Sequence, residues 1–120
     1  MSKENGVLDL VLKAEWFEKI KNGEKNIEYR EVKRYWANRL YTEKTDGFRR
    51  WVIPTNNKVL FSKGYKRKEQ MLFEIAKIEV LYSGINTDLH INKPVYAIHL
   101  GEQLNIVDWY KEQKGGKNAR

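Results

Sequence analysis

The sequence predicts an α+β domain, a small and mostly antiparallel β-barrel carrying two or three short helices. Three observations predict it. Apolar residues fall in short runs with strand alternation. The two stretches with helical spacing both lie early in the chain. The longest strand pattern, residues 71–82, slips phase near Ala76 and Lys77, and a bulged, bent strand is a common way for a small sheet to curl toward closure.

Taken in order, residues 1–6 are a lead-in and Val7–Leu12 is a first strand, apolar except at Asp9. Trp16, Phe17 and Ile20 recur at helical spacing, which predicts a helix over 14–22 with its aromatics in the core. Gly23 suits the left-handed residue that ends a helix. A strand follows at once: Ile27 and Tyr29 point to one side, and Asn26, Glu28 and Arg30 to the other. Val32, Tyr35, Trp36, Arg39 and Leu40 predict a second helix over 32–41. Residues 42–57 read mostly as loop, with Phe48, Trp51, Val52 and Ile53 docking part of it. Strands are expected over 59–63, 71–82 and 95–100, with a charged turn at 66–69 and a loop over 83–93. Residues 104–111 fit strand or helix equally, and 112–120 read as a flexible basic tail. The core spans about 7–101, within a single domain.

Composition excludes several function classes. Without cysteine there are no disulfides and no thiolate metal sites, and His90 and His99 lack metal-ligand spacing, so no metal or cofactor is expected. No apolar run reaches membrane-spanning length and no signal-peptide core opens the chain, so a cytoplasmic protein with no membrane partner is expected. The net charge of +7 is uneven: residues 43–68 hold eight basic and two acidic residues, whereas 69–110 hold two basic and six acidic. A cationic middle segment with interleaved aromatics (Arg49, Arg50 and Trp51, then Tyr65, Lys66, Arg67 and Lys68) is the pattern of a nucleic-acid contact. A solvated, lysine-rich surface is the plainer reading of the same charge.

Residues 23–30, Gly-Glu-Lys-Asn-Ile-Glu-Tyr-Arg, place Lys25 at a turn beside Glu28 and Arg30 on one strand face. A carboxylate paired with a guanidinium fixes both groups and leaves guanidinium donors for a ligand. Lys25 at such a turn would point at a pocket mouth, and its removal would cost the fold little. The alternative is a structural Glu28–Arg30 salt bridge with Lys25 in solvent.

The pattern Gly-x-Lys-x-x-Glu-x-Arg, following a helix that carries Trp16, Phe17 and Ile20, resembles the signature of ASCH domains. The resemblance covers roughly residues 7–101, and its sharp part is 23–30. It implies a PUA-like β-barrel that binds RNA or a nucleotide, with Lys25, Glu28 and Arg30 lining a cleft and Tyr65, Arg49, Arg50, Lys66 and Arg67 extending the contact. One branch of the family consists of amidohydrolases that remove the acetyl group of N4-acetylcytidine. There the motif lysine, a threonine three residues later and a glutamate on a later helix carry the reaction. Lys25 matches the lysine, but Glu28 stands at the threonine position, and residues 83–93 contain Asp88 and no glutamate. The enzymatic alternative would therefore run through Lys25 with Glu28 beside it, and a neighbouring carboxylate opposes activation of an amine. His99, Glu74 and Glu79 read as ordinary strand residues, and Asn86-Thr87-Asp88 as turn chemistry.

Overall fold

The structure, a computed structural model, describes residues 6–48, 50–66 and 68–118. It is an α+β fold: a mixed five-stranded sheet curled into a half-barrel, a separate two-stranded ribbon, and three helices. The order of the large sheet is β1 (Val7–Leu12), β5 (Lys58–Lys63), β6 (Gln70–Leu81), β7 (Val95–Leu104), β2 (Ile27–Glu31). The β1–β5 ladder is parallel and the other three are antiparallel. No ladder among the described residues joins β1 to β2. Closure therefore stops short, and a gap remains between the two outer strands.

The curl begins in β6. Its register against β7 shifts between Phe73 and Ile75 and again between Ile75 and Lys77, close to the phase slip read in the sequence. Extra residues on one strand of an antiparallel pair bend it and increase its twist.

The concave side holds one core. Leu8, Leu10 and Leu12 of β1, Val59 and Phe61 of β5, Met71 and Phe73 of β6, and Tyr96 and Ile98 of β7 supply it at alternate positions. Helix α1 (Ala14–Lys21) adds Phe17 and Ile20, and α2 (Arg34–Leu40) adds Leu40. Asn22 caps α1, and Gly23 follows at φ 81°. The Gly23 N–H bonds the Ile20 carbonyl and the Glu24 N–H bonds the Lys19 carbonyl, the reciprocal pattern that ends a helix on a left-handed glycine.

Three sequence expectations change. Residues 42–57 are mostly not loop: Tyr41–Thr45 (β3) and Arg50–Pro54 (β4) form an antiparallel ribbon. Its tip carries Asp46-Gly47, with Gly47 at φ 94° and the Phe48 N–H bonded to Asp46 Oδ1 at 3.1 Å. Asp-Gly between strand-forming runs is a hairpin signal, masked here by the charges around it. Strand β7 runs four residues past Leu100. Helix α3 (Ile106–Asn118) takes up residues 106–111, which the pattern leaves undecided, and most of the expected tail. It lies on the convex side, where the Tyr110 hydroxyl donates to Gln70 Oε1 at 2.7 Å. Alternation puts Gln70 on the same face as buried Leu72, which pairs with Leu60 and Leu104. No helix among the described residues is long and apolar enough to cross a membrane.

Phe17 is fully buried and fastens α1 to the sheet. Phe17→Ala is expected to destabilise the domain by about 3–5 kcal/mol, the usual cost of a large aromatic cavity. Urea unfolding checks this, with the midpoint falling and the slope unchanged.

Candidate functional site

The gap between β1 and β2 is a cleft of about 600 Å³, within the 300–1,000 Å³ range of small-molecule sites. Val11, Leu12 and Lys13 form one wall, and Glu28, Tyr29, Arg30 and Glu31 the other. Trp16 of α1, Tyr65 of the turn after β5, and Asp88, Leu89 and Ile91 of the loop before β7 complete it.

Strand β2 carries the charged groups, Glu28 and Arg30, together on one face, as the alternation predicts. Glu28 pairs with Ile98 and Arg30 with Tyr96, and both partners belong to the core. Directly opposed residues share a sheet face, so the polar pair faces the concave interior, and Ile27 and Tyr29 face the other way. The alternation read in the sequence holds. At an unclosed edge the inner face opens onto the cleft, and a polar pair can sit there.

Glu28 is only 7% exposed. Its Oε2 accepts from Arg30 Nε at 3.0 Å and from Arg30 Nη2 at 2.9 Å, and its Oε1 lies 3.5 Å from Lys25 Nζ. Burial pushes the carboxyl above its ordinary value, against the opposing pull of Arg30 and Lys25. The guanidinium rests over the Trp36 ring, 5.0 Å from its centroid. Arg30 carries five N–H donors. Those not given to Glu28 make no hydrogen bond among the described residues.

Lys25 does not line this cleft but borders a neighbouring pocket with Trp16, Asp88 and His90. Its side chain is 9% exposed, ion-paired to Asp88 and bonded to the Ile27 carbonyl at 2.6 Å. The ammonium lies 5.6 Å from the Trp16 centroid and 5.1 Å from that of Tyr29. Even-numbered residues of β2 bond toward β7, as the flanking Leu100 N–H to Asn26 and Val32 N–H to Pro94 bonds show. The odd-numbered backbone groups therefore face the open edge, and Lys25 caps the first of their carbonyls.

Sequence reasoning misses Asp88 and Trp16. Trp16 is expected in the core, but only Phe17 and Ile20 of α1 reach it; Trp16 is half-buried and lines the cleft. Asp88 sits in a braced loop. The Thr87 hydroxyl donates to the Gly84 carbonyl at 2.7 Å and accepts from the Leu89 N–H at 3.2 Å, while a side chain on Gly84 would strike Val95. No local pattern reveals that this turn meets a lysine 63 positions away. The buried Asp88 Oδ1 has no hydrogen-bond partner among the described residues.

The expected basic extension is described in part. Tyr65, 88% exposed, stands at the cleft rim, and Lys66 is exposed beside it. Arg49 and Arg67 lie outside the described residues, and Arg50 opens the ribbon strand β4. Lys63 is engaged by Glu18 at 2.6 Å and Glu69 at 3.6 Å. His99 bonds Glu79 at 2.6 Å on the outer strand face, which holds that carboxyl below its ordinary range. No cluster of three or more metal-ligating side chains occurs among the described residues.

Chemically, the cleft offers one buried carboxylate acceptor, spare guanidinium donors and aromatic faces, with a neighbouring ammonium already committed to protein partners. No family model, no curated protein and no solved structure matches the chain.

Two outcomes follow from this geometry. Glu28 has a folded-state value raised above its unfolded one, so its contribution to stability is fully present below the unfolded value near 4.5 and is lost as pH rises through the folded value. Glu28→Gln removes that dependence. Melting temperatures from acid to neutral pH should move in favour of the Gln variant as pH rises, and a pH-independent difference would contradict the assignment. Lys25→Met leaves Asp88 without its cation and Glu28 with Arg30 alone. It should cost about 1–3 kcal/mol rather than the small amount expected for a turn lysine. A double-mutant cycle with Asp88→Asn measures the part due to that pair.

Proposed function

We propose that the protein is an RNA- or nucleotide-binding domain of the PUA-like ASCH type, taking a nucleobase into the cleft between β1 and β2. The observation that carries the reading is the buried Glu28 carboxylate, held by Arg30 and Lys25 at the wall of an aromatic-lined cleft of about 600 Å³. Carboxylates accept from exocyclic amino groups of bases, and guanidinium groups donate to ring nitrogens, carbonyls and phosphates. Trp16 and Tyr65 provide faces on which a base can stack. An open, curled sheet with its cleft at the unclosed edge is compatible with a barrel-like fold of that kind.

The amidohydrolase alternative needs the Lys25 amine aimed at a substrate. Its nitrogen instead donates to Asp88 and the Ile27 carbonyl, so a reaction would first have to break both contacts.

Isothermal titration with the four ribonucleoside monophosphates tests the reading. Binding of at least one is expected, and Glu28→Gln should weaken it by roughly tenfold or more, since a hydrogen bond to a charged group contributes about 1.5–3 kcal/mol. Absence of binding by all four, or indifference to Glu28→Gln, would remove the cleft from consideration. Rapid release of cytidine from N4-acetylcytidine, abolished by Lys25→Met, would establish the hydrolase instead.

A further inference from the structure

The cleft does not end at Arg30. Its guanidinium lies over Trp36, the Trp36 ring meets Tyr35 edge-on at 4.8 Å, and the Arg39 guanidinium lies 3.8 Å from the Tyr35 centroid. Cation, ring, ring and cation thus form one continuous series from the cleft wall along α2 to the surface. Tyr35 remains 55% exposed, so the outer part of the series presents an aromatic surface to solvent.

The charge carried by α2 and its N-cap is of one sign. Residues 32–40 contain Lys33, Arg34 and Arg39 and no carboxylate. Arg34 and Lys33 are exposed; Arg34 makes no ion pair among the described residues, and Lys33 reaches only Glu31, at 3.7 Å. Arg39 spends one N–H on the Tyr35 carbonyl, at 3.2 Å, which holds its plane against the ring. An exposed ring flanked by exposed cations, one of them unpaired among the described residues, is an arrangement suited to single-stranded polynucleotide, in which bases stack and phosphates meet Lys and Arg.

The geometry points to α2 as a track for a single-stranded polynucleotide: a base stacks on Tyr35 and the adjoining phosphates meet Lys33 and Arg34, while a neighbouring nucleotide occupies the cleft. The inference rests on the reading of the cleft as a nucleotide site and adds the path of the strand leaving it. Phosphates and ring faces are common to RNA and DNA, so the track itself takes both.

The test compares a nucleoside monophosphate with single-stranded oligonucleotides of about eight nucleotides, a length suited to one small binding face. RNA and DNA of one sequence are used, by fluorescence anisotropy between about 50 and 200 mM salt. The combined variant Lys33→Gln, Arg34→Gln should flatten the slope of log K against log salt by about 1.4, at about 0.7 for each phosphate no longer neutralised. Monophosphate affinity should stay within about twofold, well below the tenfold that removing a hydrogen bond to a charged group produces. Tyr35→Ala should weaken both oligonucleotides by roughly tenfold with the slope unchanged, and Tyr35→Phe should restore affinity. Circular dichroism and melting temperature confirm that these surface variants are folded.

Oligonucleotide affinity and slope unaffected by the α2 variants, with monophosphate binding intact, would overturn the track and leave the cleft reading standing. Oligonucleotide binding that depends on α2, in a protein that takes no monophosphate, would uphold the track and remove the cleft reading. An oligonucleotide not bound at all overturns the inference. So does binding of phosphatidylserine vesicles through Lys33 and Arg34 in place of the oligonucleotide, which would assign the face to a membrane surface.

Discussion

Strands β1 and β2 are the outer strands of one curled sheet, and they do not hydrogen-bond to each other. That open seam governs the rest of the molecule. An unpaired edge must satisfy its backbone groups by other means, and here a lysine ammonium takes the Ile27 carbonyl. The seam also turns inward-facing positions of β2 into cleft wall, so Glu28 and Arg30 stand where a closed barrel would require apolar side chains. Helix α1 connects the two edges, filling the interior with Phe17 and Ile20 and leaving Trp16 at the opening. A ligand in the cleft would occupy the space that closure of the sheet would otherwise take.

The charged groups at the seam hold one another in place at some cost in stability. Desolvating the Glu28 carboxylate is unfavourable, and burial pushes the carboxyl above its ordinary value against the opposing pull of Arg30 and Lys25. An apolar residue at that position would be less costly to bury. What the carboxylate adds is orientation: Oε2 fixes the Arg30 plane against Trp36, and Oε1 faces the Lys25 ammonium. Asp88 completes the set from a loop that Thr87 and the tight fit of Gly84 hold still. The acceptor and donors of the cleft are therefore preorganised, which lowers the ordering cost of binding.

The parts legible in the sequence are those set by neighbours along the chain. The break at Gly23, the alternation of residues 27–31 and the phase slip in β6 all depend on local dihedral preference and side-chain period. The mutual contact of Glu28 and Arg30 is also local, since i and i+2 of a strand share a face. Which face it would be is not legible, because that depends on where the sheet fails to close. Asp88 pairs with Lys25 across 63 positions and is hidden for the same reason. Trp16 misleads because a helical apolar stripe normally enters the core in full, whereas here its edge residue overhangs the cleft. The β3–β4 ribbon escapes differently: Asp46-Gly47 is available as a turn signal, but the surrounding charges conceal the alternation.

Charge shows the same division between what runs along the chain and what meets in space. Counted along the sequence, the excess of cations belongs to residues 43–68. In the folded chain Lys63 of that segment is offset by Glu18 and Glu69, which come from α1 and from the turn before β6. Residues 32–40 carry fewer cations, but Arg34 stands exposed without an ion pair among the described residues, and Arg39 lies against the Tyr35 ring. Screening in water confines a surface charge to partners within about 10 Å, so the local balance, not the count per segment, decides where a polyanion is drawn.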